Sequence, residues 1–253
     1  MYDVVFVSYR ERNAEENFRI LRGLVPAVRR VHGVRGILNA YRQAAAIAAT
    51  DMVWLVDGDA QLVPDFAFDL ETPHRGRDVT YIWDSINPVN DLVYGYGGVK
   101  LMPRHRLLEA AAGAIDVTTR VAEYVNVGLV SNVTVFNTDP FNSWRSAFRE
   151  CAKLASGAIR REDPAARERL HAWSSRGVDR PFGRWCLQGA HDGIAWASHA
   201  DRTALSKINE MTWLAQRFHA LYGPAVAPTS GGARSAPASR TSVTPLACGR
   251  SKT

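Results

Sequence analysis

The alternation of short apolar strands and helices in the first 57 residues limits what this chain can fold into more than any other feature. Strand-type runs of apolar and β-branched residues cover 2–9, 27–32 and 51–56. One helix begins near Ala14, after the capping residue Asn13, and an alanine-rich helix covers 37–49. Strand–helix–strand–helix–strand over so short a stretch predicts a parallel sheet with right-handed crossovers.

The rest of the chain mixes strand and helix patterns. Further strands are predicted over 79–83, 92–102 and 132–136, and helices over 142–156, 164–174, 182–200 and 204–222. We therefore expect an α/β fold in residues 1–223. It is a single Rossmann-like domain whose open, mostly parallel mixed sheet is flanked by helices.

The remaining residues, 224–253, differ in composition from this domain. They are rich in Pro, Ser and Ala, contain four basic residues and no acidic one, and so account for most of the formal net charge of +6. Such a segment buries too little apolar surface to offset its chain entropy, and we expect a disordered basic tail. A basic tail can attract DNA weakly, but a solvated tail without a partner explains the composition equally well.

The cysteine content and the hydropathy of the chain indicate the cellular compartment in which we expect the protein. Three cysteines without metal-type spacing favour free thiols in a reducing compartment, and we expect a cytoplasmic location. No apolar run approaches the roughly 20 residues that span a bilayer. The first residues read as a strand rather than a signal peptide, so we expect no membrane association.

Asp57-Gly58-Asp59 directly follows the third predicted strand. Ligands of open α/β sheets bind beyond the carboxyl ends of the strands. Two carboxylates one residue apart can share Mg²⁺ or Mn²⁺, which proteins hold with one or two carboxylates plus phosphate oxygens. Gly58 leaves room for a diphosphate near the backbone. The alternative is an acidic turn in which Asp59 caps the next segment.

Several segments together resemble a known family. They are YDVVFVSY, VHGVRGILNAYRQAA, the strand ending in DGDA, INPVNDLVYGYGGVKLMP, NTDPFNSWRSAFRE and DRPFG. Over roughly residues 1 to 200 the chain resembles the GT-A class of glycosyltransferases. More narrowly, it is similar to phage-type enzymes related to those that glucosylate hydroxymethylated DNA bases, including the base J enzyme.

The resemblance implies a set of donor-binding residues. Ser8 and Tyr9 would contact the nucleoside, and Arg35 the uracil or the diphosphate. Asp57 would hold ribose or sugar hydroxyls and, with Asp59, a Mn²⁺ or Mg²⁺ ion. A guanidinium beside a glycine-bounded turn also suits phosphate oxygens on physical grounds. The alternatives are a strand end with a packed tyrosine for Ser8 and Tyr9, and a solvated loop cation for Arg35.

An inverting transferase needs a base for the acceptor hydroxyl. Asp139, between a predicted strand and a predicted helix, is the candidate catalytic base. Its position before Pro140 is equally that of a helix N-cap with proline at N1. Asp192 is a second candidate base. Its neighbour His191 is either a late metal ligand or a residue of the helix surface.

Aromatic and glycine residues in segment 94–98, YGYGG, could stack on a sugar or an extruded base. A bulged strand with packed tyrosines explains the same segment. Trp83 and Asp84, and Trp144 and Arg145, are candidates for the border of the same acceptor cleft.

A local basic patch would serve a DNA acceptor, and the candidates for it are Arg104, His105 and Arg106 with Arg145 and Arg149. Glu150, on the same predicted helix, is expected to be a surface or paired carboxylate.

The expected activity is transfer of a hexose from a UDP-sugar, UDP-glucose being favoured, to a hydroxyl acceptor. The favoured acceptor is a 5-hydroxymethylpyrimidine such as 5-hydroxymethylcytosine in DNA, so the partners are a nucleotide-sugar and modified DNA. The alternatives keep the fold and use a polysaccharide, lipid or protein acceptor, or make the chain a non-catalytic nucleotide-binding module. A nucleotidyltransferase is disfavoured because no Gly-rich, Lys-bearing activation loop is present near the N-terminus.

Overall fold

The computed structural model describes residues 1–70, 78–95, 98–110, 121–157 and 164–223. The strands in these ranges are β1 Asp3–Ser8, β2 Arg29–His32, β3 Met52–Asp57, β4 Ala60–Leu62, β5 Val79–Ile86, β6 Val93–Tyr94, β7 Val99–Pro103 and β8 Glu123–Thr134. The helices are α1 Ala14–Leu24, α2 Ile37–Ile47, α3 Arg104–Glu109, α4 Pro140–Ala155, α5 Pro164–Ser175, α6 Gly183–Ala197, α7 Arg202–Leu205 and α8 Met211–Tyr222, with a 3₁₀ turn at Ser206–Asn209. The tail predicted for 224–253 lies outside the described residues.

The strands form one mixed sheet in the order β2-β1-β3-β7-β5-β8-β4, with β6 paired to β5. Parallel pairing of β1 with both β2 and β3 confirms the predicted N-terminal βαβαβ unit. The α/β class and the open mixed sheet flanked by helices are also confirmed. Of the pairings between described strands, only one more, β5 with β8, is parallel, and four are antiparallel. The expectation of a mostly parallel sheet was wrong.

The antiparallel pairings have a local cause. Residues 87–92 join β5 to β6, and this connection is too short for the crossover that parallel neighbours need. The strand predicted over 92–102 is present as β6 and β7, both antiparallel to β5. β7 then lies between β5 and β3, where it is again antiparallel.

The core strands β1 and β3 are buried on both faces. On one face Val5 and Leu55 pack with the small residues of α2, including Ala44. On the other face Phe6 and Trp54 pack with α1 and with an aromatic cluster formed by Phe66, Phe68 and Trp83. Burial on both faces explains the nearly continuous apolar runs of these strands, and it fixes where their carboxyl ends lie.

A helical layer is built on α4, against which α5, α6 and α8 pack. A Cβ at Gly189 of α6 would lie 2.2 Å from the carbonyl oxygen of Trp144, and one at Gly193 would lie 2.5 Å from that of Phe148. The backbones of α4 and α6 therefore touch, and only glycine fits at these two positions.

The single helix predicted over 204–222 is interrupted. It consists of α7, the 3₁₀ turn and α8. The cause is tertiary, because the Arg149 side chain of α4 donates hydrogen bonds to the Ile208 carbonyl (2.8 Å) and the Asn209 side chain (3.0 Å) within the turn. No helix in the described ranges is long and apolar enough to cross a membrane.

Candidate functional site

A cavity of about 390 Å³ lies at the carboxyl ends of β1 and β3. The ends of these two strands and β7 form one wall of the cavity, and α4 forms another. The start of α2 forms the rim, and the segment from the 3₁₀ turn into α8 completes the lining. The side chains that matter for chemistry are Ser8, Tyr9, Glu11, Arg35, Tyr41, Asp57, Asp59, Lys100, Arg145, Arg149, Glu150 and Lys153.

Asp57 is held by two neighbours within this cavity. Its Oδ1 accepts a hydrogen bond from the Tyr41 hydroxyl at 2.8 Å, and its Oδ2 pairs with Lys100 Nζ at 2.8 Å. Lys100 also donates to the Tyr41 hydroxyl and is only 1% exposed. A divalent ion on Asp57 would compete with this buried ammonium, whereas a sugar or ribose hydroxyl would need only a free lone pair.

The environment of Asp59 differs from that of Asp57, which Tyr41 and Lys100 contact. Within the described residues no other residue donates a hydrogen bond to its carboxylate, and only its own backbone N–H does so. Burial, together with the negative charges of Asp57 and Glu11, raises the pKa of Asp59 to about 7, although the positive charge of Arg145 acts in the other direction. The site thus contains negative charge that the surrounding protein does not neutralise, and a cation would relieve it.

Glu11 belongs to this acidic group although the sequence analysis did not single it out. Its Oε2 accepts a hydrogen bond from the Tyr9 backbone at 2.7 Å. A Cβ at Gly58 would lie 2.6 Å from Glu11 Oε2 and 3.0 Å from the Ser8 Cβ, so a larger residue at this turn would displace the Glu11 carboxylate. The available signal was its position just beyond the first strand, on the edge where Asp57 also emerges.

The acidic residues fit a divalent ion in one specific way. Within the described ranges, no three His, Cys, Asp or Glu side chains are placed to hold an ion by themselves. Divalent ions at nucleotide sites often take one or two carboxylates and complete their shell with phosphate oxygens and water. Asp59, which forms no ion pair with the described residues, fits as that carboxylate, with Glu11 close to it.

The basic wall comes from α4. Arg145, Arg149 and Lys153 recur at every fourth position, so they share one face of the helix, and all three line the cavity. Lys153 pairs with Glu150 at 2.8 Å. Glu150 is therefore a paired carboxylate, as expected, but it is buried rather than on the surface.

The predicted nucleoside-binding residues Ser8, Tyr9 and Arg35 all line the same cavity as Asp57 and Asp59. Ser8 Oγ accepts a hydrogen bond from Arg30 Nε at 3.1 Å and lies 2.9 Å from His32 Nδ1. Arg35 Nη2 donates to Thr212 Oγ1 at 3.4 Å, so this cation reaches from the start of α2 to α8.

Asp139 does not line the cavity. It is 4% exposed and caps α4, with Oδ1 accepting a hydrogen bond from the Asn142 backbone at 2.8 Å. Its Oδ2 pairs with Arg12 Nε at 3.2 Å. The geometry is that of the capping alternative, with Pro140 at N1. A role as base would require Asp139 to leave these partners.

Other candidates contribute to packing. Asp192 Oδ2 accepts hydrogen bonds from Trp144 Nε1 (2.7 Å) and from the Tyr222 hydroxyl, which ties α4, α6 and α8 together. His191 Nε2 lies 3.0 Å from the Ser174 carbonyl oxygen. Trp83 is buried in the core, where it packs on Trp54. None of these side chains lines the cavity.

Segment 94–98 is only partly visible, because Tyr96 and Gly97 lie outside the described residues. The Tyr94 hydroxyl donates to Glu150 at 3.2 Å and accepts from Trp173 Nε1 at 3.1 Å, so this tyrosine is a packed residue. Gly98 lines the cavity.

The proposed basic patch divides into two parts. Arg145 and Arg149 line the cavity, whereas the α3 residues do not. Arg104 donates to the Ala45 and Ala48 carbonyl oxygens, and Arg106 and His105 pair with Asp78.

Comparison with known proteins adds no assignment, since neither a protein-family model nor a curated protein matches the chain.

Proposed function

We propose that this chain is a GT-A-type glycosyltransferase that moves a hexose from a UDP-sugar, with UDP-glucose favoured, to a hydroxyl acceptor. One observation supports this most. The carboxylates of Asp57 and Asp59 and the cations of α4 face one cavity at the carboxyl ends of parallel strands. A departing nucleoside diphosphate carries negative charge that must be stabilised, which the cations would do directly and the carboxylates would do by holding a divalent ion.

The donor would lie along the carboxyl ends of β1 and β3. Ser8 and Tyr9 would contact the nucleoside, and Arg35, at the rim, would close over it. Asp57, which Tyr41 and Lys100 hold in place, would orient ribose or sugar hydroxyls. Asp59 would hold Mn²⁺ or Mg²⁺, which when bound neutralises charge on the leaving diphosphate.

The acceptor rests on the family resemblance, and we propose a 5-hydroxymethylpyrimidine in DNA. In the transfer, the bond from the sugar to the diphosphate breaks, a bond to the acceptor oxygen forms, and the acceptor proton goes to a base. Asp139 remains the proposed base and Arg12 and Asn142 must release it for that role. A cytoplasmic location is part of the proposal, and the described cysteines Cys151 and Cys186 are free thiols.

Ligand-dependent stabilisation tests donor binding. UDP with Mn²⁺ should raise the melting temperature of the protein by mass action, and Asp59→Asn should abolish the Mn²⁺-dependent part of the shift. Asp65→Asn, an exposed aspartate outside the cavity, is the control and should respond as the unaltered protein does. Equal shifts in all three proteins, with and without the ion, would remove Asp59 from the site.

A donor and acceptor screen tests the reaction. The protein is incubated with UDP-sugars and with DNA containing 5-hydroxymethylcytosine or 5-hydroxymethyluracil, and nucleosides are read by mass spectrometry. We expect a mass gain of one hexose on a modified base. Turnover on polysaccharide, lipid or protein acceptors alone would refute the DNA acceptor. Nucleotide binding without turnover on any acceptor would indicate that the chain is a non-catalytic nucleotide-binding module.

A further inference from the structure

Arg145 is a cation whose hydrogen-bonding capacity the protein leaves largely unused. Its Nε is buried and makes no hydrogen bond. Its only described hydrogen bond joins Nη1 to the Met211 sulfur at 3.3 Å, and a thioether is a weak acceptor. Within the described residues, no carboxylate or carbonyl oxygen accepts from this guanidinium, although the group has five donors.

The surroundings of Arg145 also disfavour its charged form. Burial and the neighbouring positive charge of Arg149 both lower the pKa of Arg145, and the carboxylates of Asp59, Glu11 and Asp139 act against this. Buried polar groups without partners are uncommon in folded proteins, and a desolvated guanidinium facing a cavity favours an anionic ligand there.

We propose that Arg145, with Arg149 and Lys153 on the same face of α4, binds the diphosphate of the donor directly, so that part of diphosphate binding needs no divalent ion. This inference rests on the proposed function, because that function identifies the anion as a nucleoside diphosphate. It goes further in placing phosphate oxygens against the cations of α4, in the same cavity as Asp59.

A nucleotide diphosphate fits these observations better than the phosphate backbone of DNA. Arg145 is half-buried within the cavity rather than on an open surface. The cavity volume of about 390 Å³ is in the range of small-ligand sites. The residues at the ends of β1 and β3 line the same space, so a ligand can contact both walls at once.

The experiment measures binding of UDP and of inorganic pyrophosphate by calorimetry in excess EDTA and in Mn²⁺. The test variant is Arg145→Gln, which keeps a long polar side chain and removes the charge. The matched control is Arg217→Gln. Arg217 is also half-buried and also has a buried Nε without a hydrogen bond, but it packs on Phe148 and Trp213 outside the cavity.

We expect both ligands to bind in EDTA, and Arg145→Gln to weaken that binding about tenfold or more, as loss of a charge-assisted hydrogen bond does. Arg217→Gln should retain the affinity of the unaltered protein. Absence of binding in EDTA, or equal affinity in Arg145→Gln, overturns the inference. Competition by an unmodified DNA duplex that also depends on Arg145 overturns it as well, because the backbone would then be the ligand.

Failure of the proposed function has a different signature. If pyrophosphate binding depends on Arg145 while no UDP-sugar turns over on any acceptor, the transferase is refuted and the anion site is retained. If UDP-glucose turns over and Arg145→Gln binds UDP normally in EDTA, the transferase is retained and the diphosphate contact is refuted.

Discussion

The two walls of the cavity are built in different ways. The acidic wall, Asp57 and Asp59, follows a strand that is buried on both faces and hydrogen-bonded to neighbours on both sides. The basic wall, Arg145 and Arg149, lies on a helix that is positioned by packing against other helices. The backbone ladder therefore places the carboxylates, whereas side-chain and helix contacts place the cations.

This difference indicates which substitutions should alter the position of the site residues and which should alter only their charge. Changes in the helical layer should move the basic wall while the sheet keeps its shape. Changes at the strand ends should act through charge, with little effect on packing. The following predictions test that division, beginning with the largest expected effect.

The contact between α4 and α6 should be the most sensitive point. We expect Gly189→Ala to lower the free energy of unfolding by at least about 3 kcal/mol, because its Cβ would lie 2.2 Å from a backbone oxygen of α4. Gly23→Ala in α1 is the control. No atom lies within 4 Å of its Cβ position, so a gain of about 0.5–1 kcal/mol is expected. Urea denaturation measures both, and equal stabilities would contradict the packing argument.

Loss of the buried ion pair between Lys100 and Asp57 should have the next largest effect on stability. Lys100→Met leaves Asp57 without its cation, and we expect a loss of about 2–3 kcal/mol. The double variant Asp57→Asn/Lys100→Met should recover much of it. Arg19→Met removes one partner of an exposed pair, 71% and 60% exposed, and should cause no measurable change. A stable Lys100→Met protein would show that Asp57 does not depend on Lys100.

The unneutralised charge of Asp59 should appear as a pH dependence of stability. Its pKa is raised from 3.8 to about 7. Its contribution to stability is therefore fully present below about pH 4 and is lost as the pH rises to about 7. The full shift corresponds to about 4 kcal/mol, and solvent at the partly exposed Asp59 reduces this value. We therefore expect Asp59→Asn to match the unaltered protein at pH 4 and to be more stable by about 2 kcal/mol at pH 8. A difference that is constant with pH would refute the raised pKa.

Asp139, where β8 leads into α4, should give the smallest effect. Asp139→Ala removes the cap of α4 and should cost about 1 kcal/mol, whereas Asp139→Asn keeps an oxygen for the Asn142 backbone and should cost less. Sugar-transfer assays on Asp139→Asn then separate the two roles. Full turnover would leave Asp139 as a cap only, and loss of turnover in a stable variant would support the base.

The sequence predicted the acidic wall better than the basic wall for a physical reason. Apolar runs and the Asp57-Gly58-Asp59 motif are local signals, and the N-terminal crossovers follow from them. The antiparallel placement of β7 between β3 and β5 depends on which strands meet, which local periodicity does not contain.

The site residues that the sequence analysis missed also depend on contacts between distant parts of the chain. Lys100 stands inside the buried run VKLMP, and a lysine there was a usable sign of a buried partner. Arg145 and Arg149 were candidates for a basic patch, and Lys153, which continues their four-residue spacing, was missed. Only the fold shows that this face of α4 looks toward Asp59, and only the contact with Arg149 shows why the last predicted helix is broken.

The segment from Ile208 to Leu214 closes the cavity, although it is translated about 150 residues after Asp57. The strand ends that carry Asp57 and Asp59 are therefore made long before the residues that close the cavity. The pocket is complete only after α8 has emerged. A chain that stops before Met211 would lack the α8 residues that line the cavity, and the cavity would be open on that side.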